Sequence, residues 1–212
     1  MNVNNIKLIN NTNLKVTINP SEDGRFAILI VDDGSAKKNK TPLGKIVPGA
    51  TVKIGGREYV VLDHSAETTA VIAKNFVKTM EFDSNSADYS KSAVRKYLNG
   101  SFYEELAKAV GRDNIIEHTV DLMADDGTGV GYKCRDNVSL LTTEKYRRYR
   151  KYLPKMGNWW WTATRASYEE GYARSVCYVL GGGALCWNGC GSDGGVRPFC
   201  ILDSSITSFE LP

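Results

Sequence analysis

The chain has 212 residues, with 27 Lys and Arg against 24 Asp and Glu for a formal net charge of +3. That length suits one domain with an appendage, and 42% hydrophobic with 24% charged residues is a globular composition that excludes disorder throughout. So mild a charge argues against a dedicated nucleic-acid binder, and no apolar run approaches the ~20 residues of a membrane span. The first 13 residues lack a secretion signal, so a soluble product made in the cytoplasm is expected, with no nucleic-acid partner and no membrane insertion.

Residues 1–43 read as a separate attachment or oligomerisation segment. Leu14 to Ile18 and Phe26 to Val31 are candidate strands around a turn at Pro20 to Gly24, and Asp32 to Lys40 has the polarity of a linker. An edge hairpin packed on the main domain is the equal alternative.

The main domain, 44–212, opens with Thr51 to Ile54 and Tyr59 to Leu62 around Gly55-Gly56, whose glycines supply the positive φ of a tight hairpin. Thr68 to Ile72 reads as a third strand. His64, beside Asp63, has no nucleophile in its pattern and reads as a polar surface group. Lys91 to Leu98 and Ser101 to Val110 read as helices. Ser101 and Glu104 form a capping box, Gly111 is the stop, and Phe102, Leu106 and Val110 are the inward stripe.

Ile115 to Val120 is expected to be one strand, with His118 in a structural hydrogen bond, since no second ligand joins it. Asp125-Asp126-Gly127-Thr128-Gly129 lacks the spacing of a calcium loop and reads as a turn. Val138 to Leu141 is a strand, and Thr142 or Thr143 caps a helix from Glu144 to Tyr152. There Tyr146, Tyr149 and Leu153 share the buried face, leaving a solvated basic one. Of Trp159-Trp160-Trp161, the outer two should share one side of a strand and Trp160 the other, with two of the three in the core.

The segment from Trp159 to Ile201 has an unusual composition. Between Gly171 and Phe209 there is no Lys, Glu or Met, although Lys and Glu are plentiful upstream. An asparagine codon ending in a pyrimidine and randomised at its adenines yields Gly, Cys, Tyr, Ser, Leu, Asp, Arg or Val among others, never Lys, Glu, Gln, Met or Trp. Leu180 to Asp193 fits that alphabet except at Trp187.

The order Trp159-Trp160-Trp161-Thr162-Ala163-Thr164, Tyr172-Ala173-Arg174, Gly183-Ala184-Leu185 and Gly195-Val196-Arg197-Pro198 resembles the variable proteins of phage and bacterial diversity-generating retroelements. Lys53 to Tyr59, Ser92 to Asn99 and Ser139 to Thr142 are similar to a bacterial and phage domain family with the same fold. The resemblance spans about residues 44–203. It implies an α+β, C-type lectin fold related to formylglycine-generating enzymes: mixed short strands, two or three helices and an irregular C-terminal ligand-binding face, its variable region about 159–201. It also implies a receptor-binding protein of a phage tail, located in the virion, with a bacterial surface protein or glycan as ligand. Proteins of this kind are often trimers, so a homo-oligomer or tail assembly is expected.

In that reading Gly-Val-Arg-Pro and the apolar positions hold the backbone, while Tyr, Ser, Gly, Asn and Asp between them are exchangeable, as in antibody loops. The expected contact set is Tyr168, Tyr172, Ser175, Cys177, Tyr178, Leu180, Gly182, Leu185, Cys186, Trp187, Asn188, Cys190, Ser192 and Asp193. Tyr168, Tyr172, Tyr178 and Trp187 are its anchors. Arg197 is expected in a buried ion pair. The alternatives are a nonvariable carbohydrate-binding or structural module of the same fold, and a cysteine-dependent redox or metal enzyme.

The five cysteines are odd in number and read as reduced thiols. Only Cys186 and Cys190 approach metal-ligand spacing, without a second pair. They do not sit in a motif matching the copper-binding cysteines of the resembled enzymes, and the motifs of calcium-dependent lectins are missing. The expectation is therefore no catalysis, no metal and no cofactor.

Overall fold

The computed structural model describes residues 15–20, 26–31, 41–207 and 209. The chain divides into two units, Met1–Lys37 and Lys38–Pro212. In the first, β1 (Lys15–Pro20) pairs antiparallel with β2 (Phe26–Val31), Lys15 opposite Val31, so the two expected strands do form a hairpin. Most of the expected turn and all of the linker lie outside the described residues.

The second unit is mixed α+β, built on two larger sheets. In the first, β3 (Thr51–Ile54) and β4 (Arg57–Ser65) close around Gly55 and Gly56 at φ 56° and 81°, as the sequence predicts. Next to β4 comes β5 (Thr68–Ala73), and β15 (Phe199–Asp203) pairs with it. The short β7 (Ile115–Ile116) and β10 (Val138–Ser139) also pair with β15, completing six strands. The second sheet has the order β13 (Leu185–Gly189), β12 (Ser175–Val179), β11 (Trp160–Arg165), β14 (Asp193–Val196) and β6 (Lys78–Glu81). A separate ribbon pairs β8 (His118–Asp121) with β9 (Lys133–Asp136).

Several local expectations change. The two expected helices form, α1 (Ala93–Tyr97) and α2 (Tyr103–Val110), with a break between them at Gly100 (φ −105°, ψ −109°) inside Leu98–Phe102, but Ser101 makes no capping hydrogen bond. No capping box forms, because α2 has no side-chain cap and Glu104 pairs with Arg112 instead. The true cap is Ser92, whose Oγ accepts from Arg95 N at 3.1 Å. Gly111 does end α2, at φ 87°. The single strand expected over 115–120 divides into β7 and β8, which pair with different partners. β10 is shorter than expected because Leu140 N turns to the Tyr89 hydroxyl. Thr142 caps α3 (Thr143–Tyr149), which tightens into one 3-10 turn, Arg150–Tyr152.

The tryptophans fall as the strand period requires. Trp159 and Trp161 meet edge to face at 4.7 Å, while Trp160 turns to the other side against Tyr146 of α3. Trp160 and Trp161 are fully buried and Trp159 partly so. Each ring anchors its own apolar cluster: Trp161 packs with Phe82, Tyr89 and Val176, and Trp160 with Leu62, Tyr146 and Phe199.

Candidate ligand-binding surface

The surface is built on the free edge of the five-stranded sheet. Tyr178 lies opposite Trp161 on the core side, and β13 continues the ladder with Cys177 opposite Trp187 and Tyr178 opposite Cys186. Because β13 is the last strand, its side chains have neighbours across the ladder on one flank only, and both of its faces reach solvent.

Cross-strand partners share a side. The register therefore puts Trp187 and Leu185 with Cys177 and Val179 on the side of Trp160, and Cys186 and Asn188 with Tyr178 on the side of Trp161. The expected contact residues thus do not form one continuous patch. They surround an edge.

Tyr172, Leu180, Gly182, Cys186, Trp187 and Asp193 are exposed, Trp187 most among the large apolar ones at 57%. It meets Tyr172 at 5.9 Å between ring centroids, making an exposed aromatic pair. Ser175, Tyr178, Leu185, Asn188 and Ser192 are half-buried. Tyr178 rests on Trp159 at 4.8 Å, and its hydroxyl pKa is raised, first through the neighbouring Cys186 thiol. The Asn188 carboxamide accepts from Gly189 N at 2.8 Å.

Three members of the expected set do not belong. Cys177 is 3% and Cys190 0% exposed. Cys177 is covered on the inner strand β12, where burial pushes its thiol up to about 12, and Cys190 sits in the core beneath the turn into β14. Tyr168 is committed to the frame. Its hydroxyl donates to Leu122 O at 3.0 Å, Arg165 lies 4.1 Å over its ring, and Tyr132 meets it edge to face.

Arg197 is fully buried but not in an ion pair. Its Nε donates to Ala73 O at 3.0 Å and its guanidinium lies 4.8 Å over the Trp160 ring. Burial lowers its pKa to about 10.

Sequence reasoning missed the ground beside Trp187. Asp125, Asp126 and Glu169 join Tyr172 and Trp187 around a depression of about 290 Å³. Asp126 accepts from Thr128 N and Oγ1, forming the expected turn, and Asp125 pairs with Arg147 at 2.8 Å. No spacing rule links positions so distant in the chain; the pairing of β12 with β13 and the bond from Asp125 N to Arg165 O bring them together.

Other candidates resolve as structural. His64 bonds to Thr69 Oγ1 at 2.9 Å and Ile46 O at 2.7 Å, so it ties two segments together. His118 Nε2 bonds to Ser139 Oγ at 2.9 Å, as expected. On α3, Arg147 and Arg148 are paired with Asp125 and Asp63, and Lys145 lies over the Phe199 ring, which leaves little of a phosphate-binding face. Among the described residues no three His, Cys, Asp or Glu side chains are grouped to hold a metal. No helix among them is long and apolar enough to cross a membrane. Compared with known proteins, the chain matches no family model, no curated protein and no solved structure.

Proposed function

We infer that this chain is a ligand-binding protein of the C-type lectin fold whose C-terminal segment presents a diversified receptor-recognition surface, carried on a phage tail. The observation that carries the reading is a division of labour within one short stretch. Trp160, Trp161, Val176, Val179, Val196 and Phe199 are buried, while Tyr172, Leu180, Cys186, Trp187 and Asp193 between them project outward. Exchanging the second group alters contacts without emptying the core, which a diversified protein must tolerate. The codon alphabet of Leu180 to Asp193 and the resemblance of the Trp-Trp-Trp and Gly-Val-Arg-Pro motifs support the same reading. Contact, not bond-making, is the proposed chemistry, with a bacterial surface protein or glycan as ligand and a homo-oligomer or tail assembly as its setting.

Two measurements test it. Flanking DNA should hold a near-identical repeat of the segment encoding Trp159 to Ile201, differing only at adenines, beside a reverse transcriptase gene. Trp187→Ala combined with Tyr172→Ala should weaken binding to receptor-bearing cells by about 10²-fold, since exposed aromatic anchors carry much of such an interface, with melting unchanged. Binding that survives both substitutions would reject the surface.

A further inference from the structure

The loop joining β12 to β13 covers a second, smaller cavity of about 100 Å³, separate from the depression beside Trp187. Its wall includes Tyr146, Arg150, Lys155, Trp160, Gly183 and Arg197, and no Asp or Glu lines it. Arg150 and Lys155 are exposed, and no carboxylate among the described residues pairs with either. Three cations therefore converge without a counter-charge.

Arg197 is the telling member. Its side chain is fully buried and stacked on Trp160, yet Nη1 and Nη2 find no acceptor among the described residues. A buried guanidinium normally has its donors satisfied. Stacking fixes the plane of the fork and leaves its outer edge for a planar acceptor, the geometry in which arginine binds a carboxylate with two parallel hydrogen bonds.

The rim suits approach by a ligand. Tyr146 Oη donates to Gly183 O at 2.7 Å, and a Cβ built on Gly183, at φ 93°, would stand 3.1 Å from that hydroxyl. A larger residue there would crowd the wall. Gly182 faces open space, so ligand atoms can come close to the backbone.

We propose that this cavity binds a carboxylate group carried by the ligand, held by Arg197 at its floor and by Arg150 and Lys155 at its rim. A carboxylate can come from an acidic sugar or from an acidic side chain of a surface protein. The site deepens the receptor-binding reading, but its residues are distinct from Trp187 and Tyr172, so each can fail without the other.

The full chain, at low ionic strength, is titrated with glucuronate and with glutarate while the backbone amides of Gly181, Gly182 and Gly183 are followed by NMR. Saturable shifts with either probe are expected, glucuronate alone pointing to a sugar source and glutarate alone to a protein source. Arg150→Gln with Lys155→Gln should weaken that binding about tenfold, and Lys108→Gln, an exposed cation on α2, should leave it unchanged. Both rim residues are exposed, so the double variant is expected to fold, which circular dichroism checks. Absence of saturable shifts with both probes overturns the proposal, as does unchanged affinity in the double variant. Tighter binding of inorganic sulfate than of either carboxylate overturns the ligand class.

Discussion

The cysteines show most directly how far a residue's type is from its role. All five are free, and two of them, Cys186 and Cys190, fall within the stretch whose codon alphabet suggests exchange, yet the fold treats them differently. Cys186 is exposed on the edge strand, whereas Cys177, Cys190 and Cys200 are buried and Cys134 is half-buried. Burial raises the Cys177 and Cys200 thiols to about 12 and Cys134 to about 11, which removes the thiolate that reacts with electrophiles. At pH 8 a disulfide reagent should therefore label one thiol of the native protein rapidly and five after denaturation. Cys186→Ser should abolish the fast phase. Rapid labelling of Cys177 or Cys190 in the native protein would contradict their placement.

At the scale of elements, the frame and the display can be separated by two glycines of the same segment. Gly194 lies in β14 against tryptophan rings: a Cβ there would come within 2.4 Å of Trp159 and 2.6 Å of Trp161 Nε1. Gly182, in the β12–β13 loop, has nothing within 4 Å of that position. Gly194→Ala is expected to destabilise the protein by about 1–3 kcal/mol through forced displacement of packed rings, and Gly182→Ala by less than about 0.5 kcal/mol. Urea unfolding of both variants checks this, and equal effects would refute the distinction. Elements with a strong local signature were legible beforehand: the Gly55-Gly56 hairpin, the buried face of α3 and the alternation of the three tryptophans. Ser101 misled because its capping pattern is local, whereas the course of the chain around the break at Gly100 is decided by packing of Leu98 and Phe102 into the core. The exposure of the expected contact residues was legible in part for a related reason. Composition identifies exchangeable residue types, but only the strand order determines that Cys177, on the inner strand β12, is covered while its partner Trp187, on the edge strand β13, is exposed.

At the scale of the whole molecule, what composition could not reveal is how the β8–β9 ribbon is attached to the six-stranded sheet, and His118 is part of that joint. Its ring bonds to Ser139 of β10 and meets Phe199 of β15 edge to face at 5.3 Å. Burial, reinforced by the positive Lys145 and opposed weakly by Glu117, lowers its pKa from 6.5 to about 4. The unfolded chain therefore takes up this proton at higher pH than the folded one. The stability due to a neutral His118 is complete above pH 6.5, declines as the pH falls toward about 4, and changes no further below that. A shift of this size corresponds to about 3 kcal/mol. His118→Gln, which can still hydrogen-bond to Ser139, should lose about that much less stability than the wild type between pH 7 and pH 4 in urea unfolding, and NMR of the wild type should find the imidazole neutral at pH 5. Parallel pH profiles for the two proteins would mean that His118 is solvated and that the ribbon is not held as described.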